Sequence, residues 1–375
     1  MTFRIERIVL REIRLPLKEP FRISSGLSTE RRICQLELTE ASGATGWSEC
    51  VAGELPNYSA ETIDTAWYAI REWVAPRVLG RSFDGPEMVA GVLAEGFRGH
   101  LMAKAAVEMG CWEVAARLAG LPLARFLGGT RERIPAGISI GIQPDPAALV
   151  RRAEAALAEG YRKIKMKIRP GADVEYVRAV REVVGPDAPL MADANSAYTL
   201  ADAGHLAALD AFALTMIEQP LGQDDLVQHA ELQRRLATPI CLDECITGVD
   251  RARDMIALGS GRIVNIKPGR VGGFTAAKAI HDLCLHHGIP VRCGGMLESG
   301  VGRAHNVALA SLPNFTLPGD LSPSARYWAR DLVEPEWTMD GKGMVRVPLD
   351  RPGIGVAVEV ERVASLAVRA ETLPA

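Results

Sequence analysis

Residues 161–170 read YRKIKMKIRP, and the placement of three lysines in this stretch decides the fold. Lys163, Lys165 and Lys167 alternate with Ile164, Met166 and Ile168. Alternation of period two marks a β-strand and puts the three ammonium groups on one face. An antiparallel sheet with one wet face would carry such a row without further reason. The flanking sequence points instead to parallel β/α units, whose strands are ordinarily continuous apolar runs. A buried strand with a row of lysines needs a chemical explanation.

Working outward, short apolar segments recur from about Ile134: IPAGISIGI, KIKMKI, APLMAD, ALTMIE, TPICLD, RIVNIK, IPVRCG and NFTLPG. Their spacing of roughly 25 residues fits one βα unit each. Helix-like sequence fills the gaps, as in DPAALVRRAEAALAEG and TAAKAIHDLCLHHG. Eight strands in this rhythm predict an α/β fold, a (β/α) barrel. An open doubly wound sheet fits less well, because no G-x-G-x-x-G follows an early strand.

The chain before this repeat has a different character. FRIERIVLREIRLPL and RRICQLELTEASGATGWSEC read as antiparallel strands, the latter turning at Ser42-Gly43. HLMAKAAVEMGCWEVAARLAG then reads as a helix closed by Gly120. The expected organisation is an α+β domain over 1–130 and a barrel over 131–325. A turn-rich segment over 326–375 returns to the first domain.

Composition narrows the function. The 375 residues carry a formal charge of only −3, which argues against a general attraction to nucleic acid or anionic membrane. No apolar run approaches the roughly 20 residues that span a bilayer, and the N-terminus lacks a signal peptide's uninterrupted core. The seven cysteines are scattered without redox or zinc-ribbon spacing, so reduced thiols in a cytoplasmic protein are expected.

In a barrel, the C-terminal ends of the strands carry the chemistry. Those ends hold Lys165 and Lys167, Asp193, Glu218, Asp243 and Lys267 in turn. A single Asp there reads more readily as a strand-end or helix-cap residue. Three carboxylates at the same place on three consecutive strands repel one another unless a cation sits among them. All-oxygen ligation favours Mg²⁺ or Mn²⁺ over zinc. Lys167 and Lys267 flank the trio. Beside a second cation, here Lys165, a lysine has a lowered pKa and can act as a base. A purely structural set of ion pairs would not require lysines from both sides.

Other polar residues are weaker signals. His286-His287 fall near a helix C-terminus, where His suits the dipole. Pro268–Gly273 lacks the P-loop ending, and Ser299 lacks the G-x-S-x-G frame of a nucleophile.

These residues resemble the enolase superfamily, and within it the muconate-lactonizing branch, over almost the whole chain. Lys165-Met166-Lys167 looks like the K-x-K motif of that group and Asp193-Ala194-Asn195 like its D-x-N. Glu218-Gln219-Pro220, Asp243-Glu244 and Asn265-Ile266-Lys267 follow in order. The resemblance implies a modified (β/α)8 barrel under an α+β cap. It also implies Mg²⁺ on Asp193, Glu218 and Asp243, and Lys167 and Lys267 as an acid/base pair acting α to a carboxylate.

GISIGI, YRKIKMKIRPG, CGGMLESGVGRAHNVALASLPNFTLPGD and AKAAVEMGCWEVAA resemble the N-acylamino acid (N-succinylamino acid) racemases more closely, and the o-succinylbenzoate synthases that intermingle with them. That similarity implies a small-molecule carboxylate substrate, with Ser139, Asn195, Gly295 and Met296 at the pocket. The loops carrying Phe21 and Tyr58 would close over it. It also implies a homo-oligomer, dimer or octamer. The Asp-x-Asp that dipeptide epimerases carry on strand eight is replaced by Leu317-Pro318-Gly319-Asp320-Leu321. Val291-Arg292-Cys293 offers no His of the sugar-acid dehydratase kind. A dedicated o-succinylbenzoate synthase of menaquinone biosynthesis, a muconate-type cycloisomerase and a non-catalytic barrel are the competing readings.

Overall fold

The computed structural model describes residues 2–24 and 26–375. The chain opens with three antiparallel strands, β1 (Phe3–Ile23), β2 (Gly26–Glu40) and β3 (Thr45–Cys50). Helix α1 (Leu101–Leu118) packs on them. The barrel follows: β4 (Ile138–Ile140), α2 (Pro146–Ala158), β5 (Ile164–Lys167), α3 (Val174–Val184), β6 (Leu190–Asp193), β7 (Ile217–Glu218) and β8 (Ile240–Leu242). It continues with β9 (Ile263–Ile266), α4 (Phe274–His286), β10 (Val291–Cys293) and α5 (Gly300–Ala310). A last strand, β11 (Ala367–Pro374), pairs antiparallel with β1. The cap sheet therefore runs β11-β1-β2-β3.

Among the described residues, seven strands form one parallel sheet in the order β10 to β4. The sheet curls into a modified barrel. Outward residues such as Leu190, Ala192, Ile217 and Val264 join the main core. Inward, Met191, Met216, Cys241 and Ile263 form a small apolar floor. Most other inward positions are polar, and this accounts for the lysine row: Lys165 pairs in register with Met191 of the floor, and Lys163, Lys165 and Lys167 are 2%, 3% and 9% exposed. A strand lined by helices on one side and by a charged barrel mouth on the other alternates even though it is buried.

The eighth apolar segment departs from expectation. Residues 314–319 form no regular strand, only a bridge between Ala136 and Gly319. Pro313 and Pro318 remove two amide donors there. Gly137 N–H donating to Gly319 O (2.7 Å) and Asp320 N–H to Cys293 O (2.8 Å) still close the ring.

The cap docks through two glutamates. Ile13, Leu15 and Ile33 share the barrel core, whereas Cys34, Leu36 and Leu38 pack within the cap. Gly273, the N-cap of α4, has no side chain, and Glu108 of α1 does the capping instead. Its carboxylate accepts from the Phe274 and Thr275 amides at 2.8 and 2.9 Å. Glu49 of β3 likewise accepts from the Ser299 hydroxyl (2.5 Å) and the Gly302 amide (3.2 Å) at α5. No helix among the described residues is long and apolar enough to cross a membrane.

Burial pushes Glu108 up to about 7, against its hydrogen bonds to Thr275, and burial does the same to Glu49 and Glu113. A folded-state value above the usual 4.5 contributes stability that is complete below 4.5 and lost as pH rises through 7. Each such group is worth up to about 3 kcal/mol across that window. Glu108→Gln cannot ionise, so its urea midpoint should fall less than the parent's between pH 5 and pH 8. Parallel slopes would show that Glu108 does not titrate in this range.

Candidate active site

The strand ends converge on the barrel mouth. Register aligns Lys167 with Asp193, and Asp193 with Glu218. Cys241 pairs with Glu218, which sets Asp243 one inward step further along its strand. Asp193, Glu218 and Asp243 are fully buried, and the lysines lie over them. Lys167 Nζ donates to Asp193 Oδ2 and to Asn195 Oδ1, both at 2.6 Å. Lys165 Nζ sits 3.1 Å from Asp193, 3.2 Å from Glu218 and 2.7 Å from Asp320. Lys267 Nζ lies 2.8 Å from Asp243 Oδ2, without hydrogen-bond orientation, and 3.1 Å from the Tyr58 hydroxyl.

The backbone is bent to make this mouth. Asn195, Ser196, Gln219 and Leu297 all take positive φ immediately beyond strand-end residues or the Gly294-Gly295 turn. Such strain collects where geometry is fixed by function. Gly294 is needed for space, since a Cβ there would lie 2.6 Å from the Lys267 arm.

The cap completes the site. Tyr58 donates to Asp243 Oδ1 (2.8 Å), and its ring lies 4.4 Å from Lys267 Nζ. Ser24 Oγ donates to the Asn195 carbonyl at 3.2 Å, and the Ile142 amide donates to Arg22 O at 2.9 Å. A cavity of about 270 Å³ results, with Lys167, Lys267, Asn195 and Gly295 toward the barrel. Phe21, Tyr58 and Met296 line it from above and beside. Ser139 and Lys165 open instead onto a smaller chamber of about 60 Å³, which shares Lys167, Lys267 and Gly295 with the first. The three carboxylates lie beneath both.

Burial lowers Lys167 below the usual lysine value; Asp193 opposes this and Lys165 reinforces it. Lys165 is raised instead, because Asp320, Glu218 and Asp193 outweigh its burial. Lys267 is raised as well, burial being outweighed by Tyr58 and Glu244. Lys165 and Arg292 hold Glu218 well below the usual carboxylate range despite its burial. The two lysines that border the cavity are thus shifted in opposite directions, Lys167 down and Lys267 up.

The three carboxylates are held by cations and do not meet at one point. Among the described residues, no three His, Cys, Asp or Glu side chains are close enough to share a metal ion. Their chemistry nevertheless fits a hard divalent cation. The donors are all oxygen and buried, Asp193 and Glu218 are paired in register, and Asp243 Oδ2 and Glu244 Oε2 are buried without hydrogen-bond partners.

Sequence reading did not assign roles to several charged groups of this site. Asp320 binds Lys163 (2.6 Å), Lys165 (2.7 Å) and Arg292 (2.6 Å), and Arg292 also reaches Glu218 at 2.9 Å. Burial and Arg292 push Lys163 down to about 7. Arg270 bonds Asp243 and the Tyr58 hydroxyl. A lone arginine inside the apolar strand VRC was the available signal for Arg292.

The chain matches two family models: "Mandelate racemase / muconate lactonizing enzyme, N-terminal domain" over residues 5–128 and "Enolase C-terminal domain-like" over 148–363. It is 50% identical over 363 residues to an o-succinylbenzoate synthase of Geobacillus stearothermophilus, covering 97% of this chain and 96% of that one. An N-succinylamino acid racemase of Thermus thermophilus is 49% identical over 359 residues, covering 96% and 95%. A solved enolase-superfamily protein from Listeria innocua superposes with a TM-score of 0.95 at 39% identity, covering 99% of each chain.

Proposed function

The chain is an enzyme of the mandelate racemase / muconate lactonizing enzyme family within the enolase superfamily, and on that premise we propose that it racemises N-acylamino acids. The observation that carries the reading is the pair Lys167 and Lys267, set on β5 and just beyond β9 and facing one cavity above three buried carboxylates. Asp193, Glu218 and Asp243 would hold Mg²⁺, which stabilises the negative charge that develops when a proton α to a carboxylate is removed.

The residues divide the remaining work. Lys167 takes the α-proton of one enantiomer, its basicity tuned by burial and by the neighbouring Lys165. Lys267, protonated and held by Tyr58 and Asp243, returns a proton to the opposite face. The reverse reaction exchanges the two roles. Asn195 links Lys167 to Glu244 and fixes the ammonium's position. The cap excludes water from the planar intermediate.

A second reading has its own support, because relatives about 50% identical are named o-succinylbenzoate synthase. Dehydration of a cyclohexadiene carboxylate needs one lysine as base, and the same site could serve both reactions. Parallel assays with Mg²⁺ of N-succinyl and N-acetyl amino acids and of the o-succinylbenzoate precursor separate the two. The adaptable apolar walls at Phe21, Ile23 and Met296 predict turnover of both methionine and phenylalanine derivatives, with N-acylation required. Equal rates on free and N-acylated amino acids would count against the racemase reading.

A further inference from the structure

Arg31 stands out as a buried cation in the cavity wall that has no anion of its own. It lies on β2, on the face shared with Ile33 and Gln35, which is turned toward the barrel. The residue is 8% exposed. Nη2 donates to the Val51 carbonyl at 3.1 Å, and Nε is buried with no partner. Among the described residues Arg31 forms no ion pair.

Nearby carboxylates are engaged elsewhere. Glu49 accepts from Ser299 and Gly302, Glu298 accepts from Asn306 at 2.8 Å, and Glu54 lies exposed at the rim. Glu61, also in the wall, caps α1 through the Met102 and Ala103 amides. The neighbouring arginine behaves differently: Arg32 is tied to Glu12 and Asp64. Arg303, in the smaller chamber, spends its Nη groups on the Ser322 and Glu298 carbonyls and stacks on Tyr327.

A guanidinium withdrawn from water without a partner is costly, and the cost is recovered when an anion joins it. Arg31 shares one continuous cavity with Lys167 and Lys267, so that anion belongs to the molecule the lysines act on. Burial lowers the Arg31 pKa, and the nearby carboxylates of Glu49 and Glu298, neither of them paired with it, oppose this only in part.

We propose that Arg31 binds a second carboxylate of the substrate, remote from the reacting one, and so selects a dicarboxylic N-acyl group such as succinyl over acetyl. The proposal rests on the N-acylamino acid reading and adds to it the residue that sets acyl preference. A guanidinium is suited to this because its planar fork meets a carboxylate with two donors.

The test compares N-succinylphenylalanine with its succinamoyl analogue, in which a terminal amide replaces the remote carboxylate. The parent should prefer the succinyl compound by about 10- to 100-fold in kcat/KM, carried in KM, the range for one hydrogen-bonded charge. In Arg31→Gln that ratio should collapse to within about threefold of unity, and Arg31→Lys should restore part of it. Equal use of both compounds by the parent would overturn the proposal without any variant, as would an unchanged ratio in folded Arg31→Gln. A parent that turns over neither compound defeats the N-acylamino acid reading. Calorimetric binding of o-succinylbenzoate against its side-chain amide, by parent and by Arg31→Gln, then decides the Arg31 assignment through the same ratio.

Discussion

Asp193→Asn, Glu218→Gln and Asp243→Asn are each expected to lower turnover by at least about 100-fold and to weaken Mg²⁺ binding measurably by calorimetry. The three side chains are fully buried at the ends of consecutive strands, with Asp193 paired in register with Glu218, and each substitution trades a charged carboxylate for a neutral amide. Each also balances a cation: Lys167 for Asp193, Lys165 and Arg292 for Glu218, Lys267 and Arg270 for Asp243. Neutralising one acid therefore leaves a buried ammonium or guanidinium short of charge, which costs about 3–5 kcal/mol when a pair is broken outright. Unfolding midpoints separate that stability loss from the loss of metal. Chelation of the parent makes the same point without a variant, since turnover should vanish with EDTA and return with Mg²⁺. Full activity after exhaustive chelation would remove the metal from the account.

Lys167→Arg and Lys267→Arg should each abolish racemisation, with losses of about 10²- to 10⁴-fold, the range for a general acid or base. Arginine keeps the charge that Asp193 or Asp243 requires, so the electrostatic balance of the mouth survives. What it removes is a group able to lose a proton near neutral pH. The two lysines stand at the ends of β5 and β9, which three other strands separate in the sheet, and both line one cavity. A planar intermediate between them presents one face to each. A complete turnover uses both faces, and for that reason either substitution alone should stop it. A variant that still racemises near the parent rate would show that its lysine is not a required proton carrier.

Much of this site was legible because barrel chemistry is local in sequence. Each functional residue ends an apolar run, as in LMAD, TMIE and NIK, and the βα rhythm shows which ends meet. The lysine row was legible for the same reason, since period-two alternation survives burial when a strand faces charge on its inner side. What escaped is non-local. Glu108 caps a helix 166 residues later and Glu49 one 250 residues later, and no spacing rule links such partners. Asp320 follows the eighth segment, where prolines interrupt the strand pattern, so its pairing with Lys163, Lys165 and Arg292 had no periodic signal. Arg31 reads in sequence as one of two adjacent arginines on a cap strand. Only the fold shows that one of them is paired and the other is turned into the cavity.

Exchange of the α-hydrogen with solvent tests most directly whether the two lysines serve opposite faces of one intermediate. Each enantiomer of N-succinylphenylalanine is incubated in D₂O with Mg²⁺ and either Lys167→Arg or Lys267→Arg, and loss of the α-proton signal is followed by NMR. With one lysine on each face, residual exchange of one enantiomer is expected from the first variant and of the other enantiomer from the second. Exchange confined to the same enantiomer in both variants would contradict it.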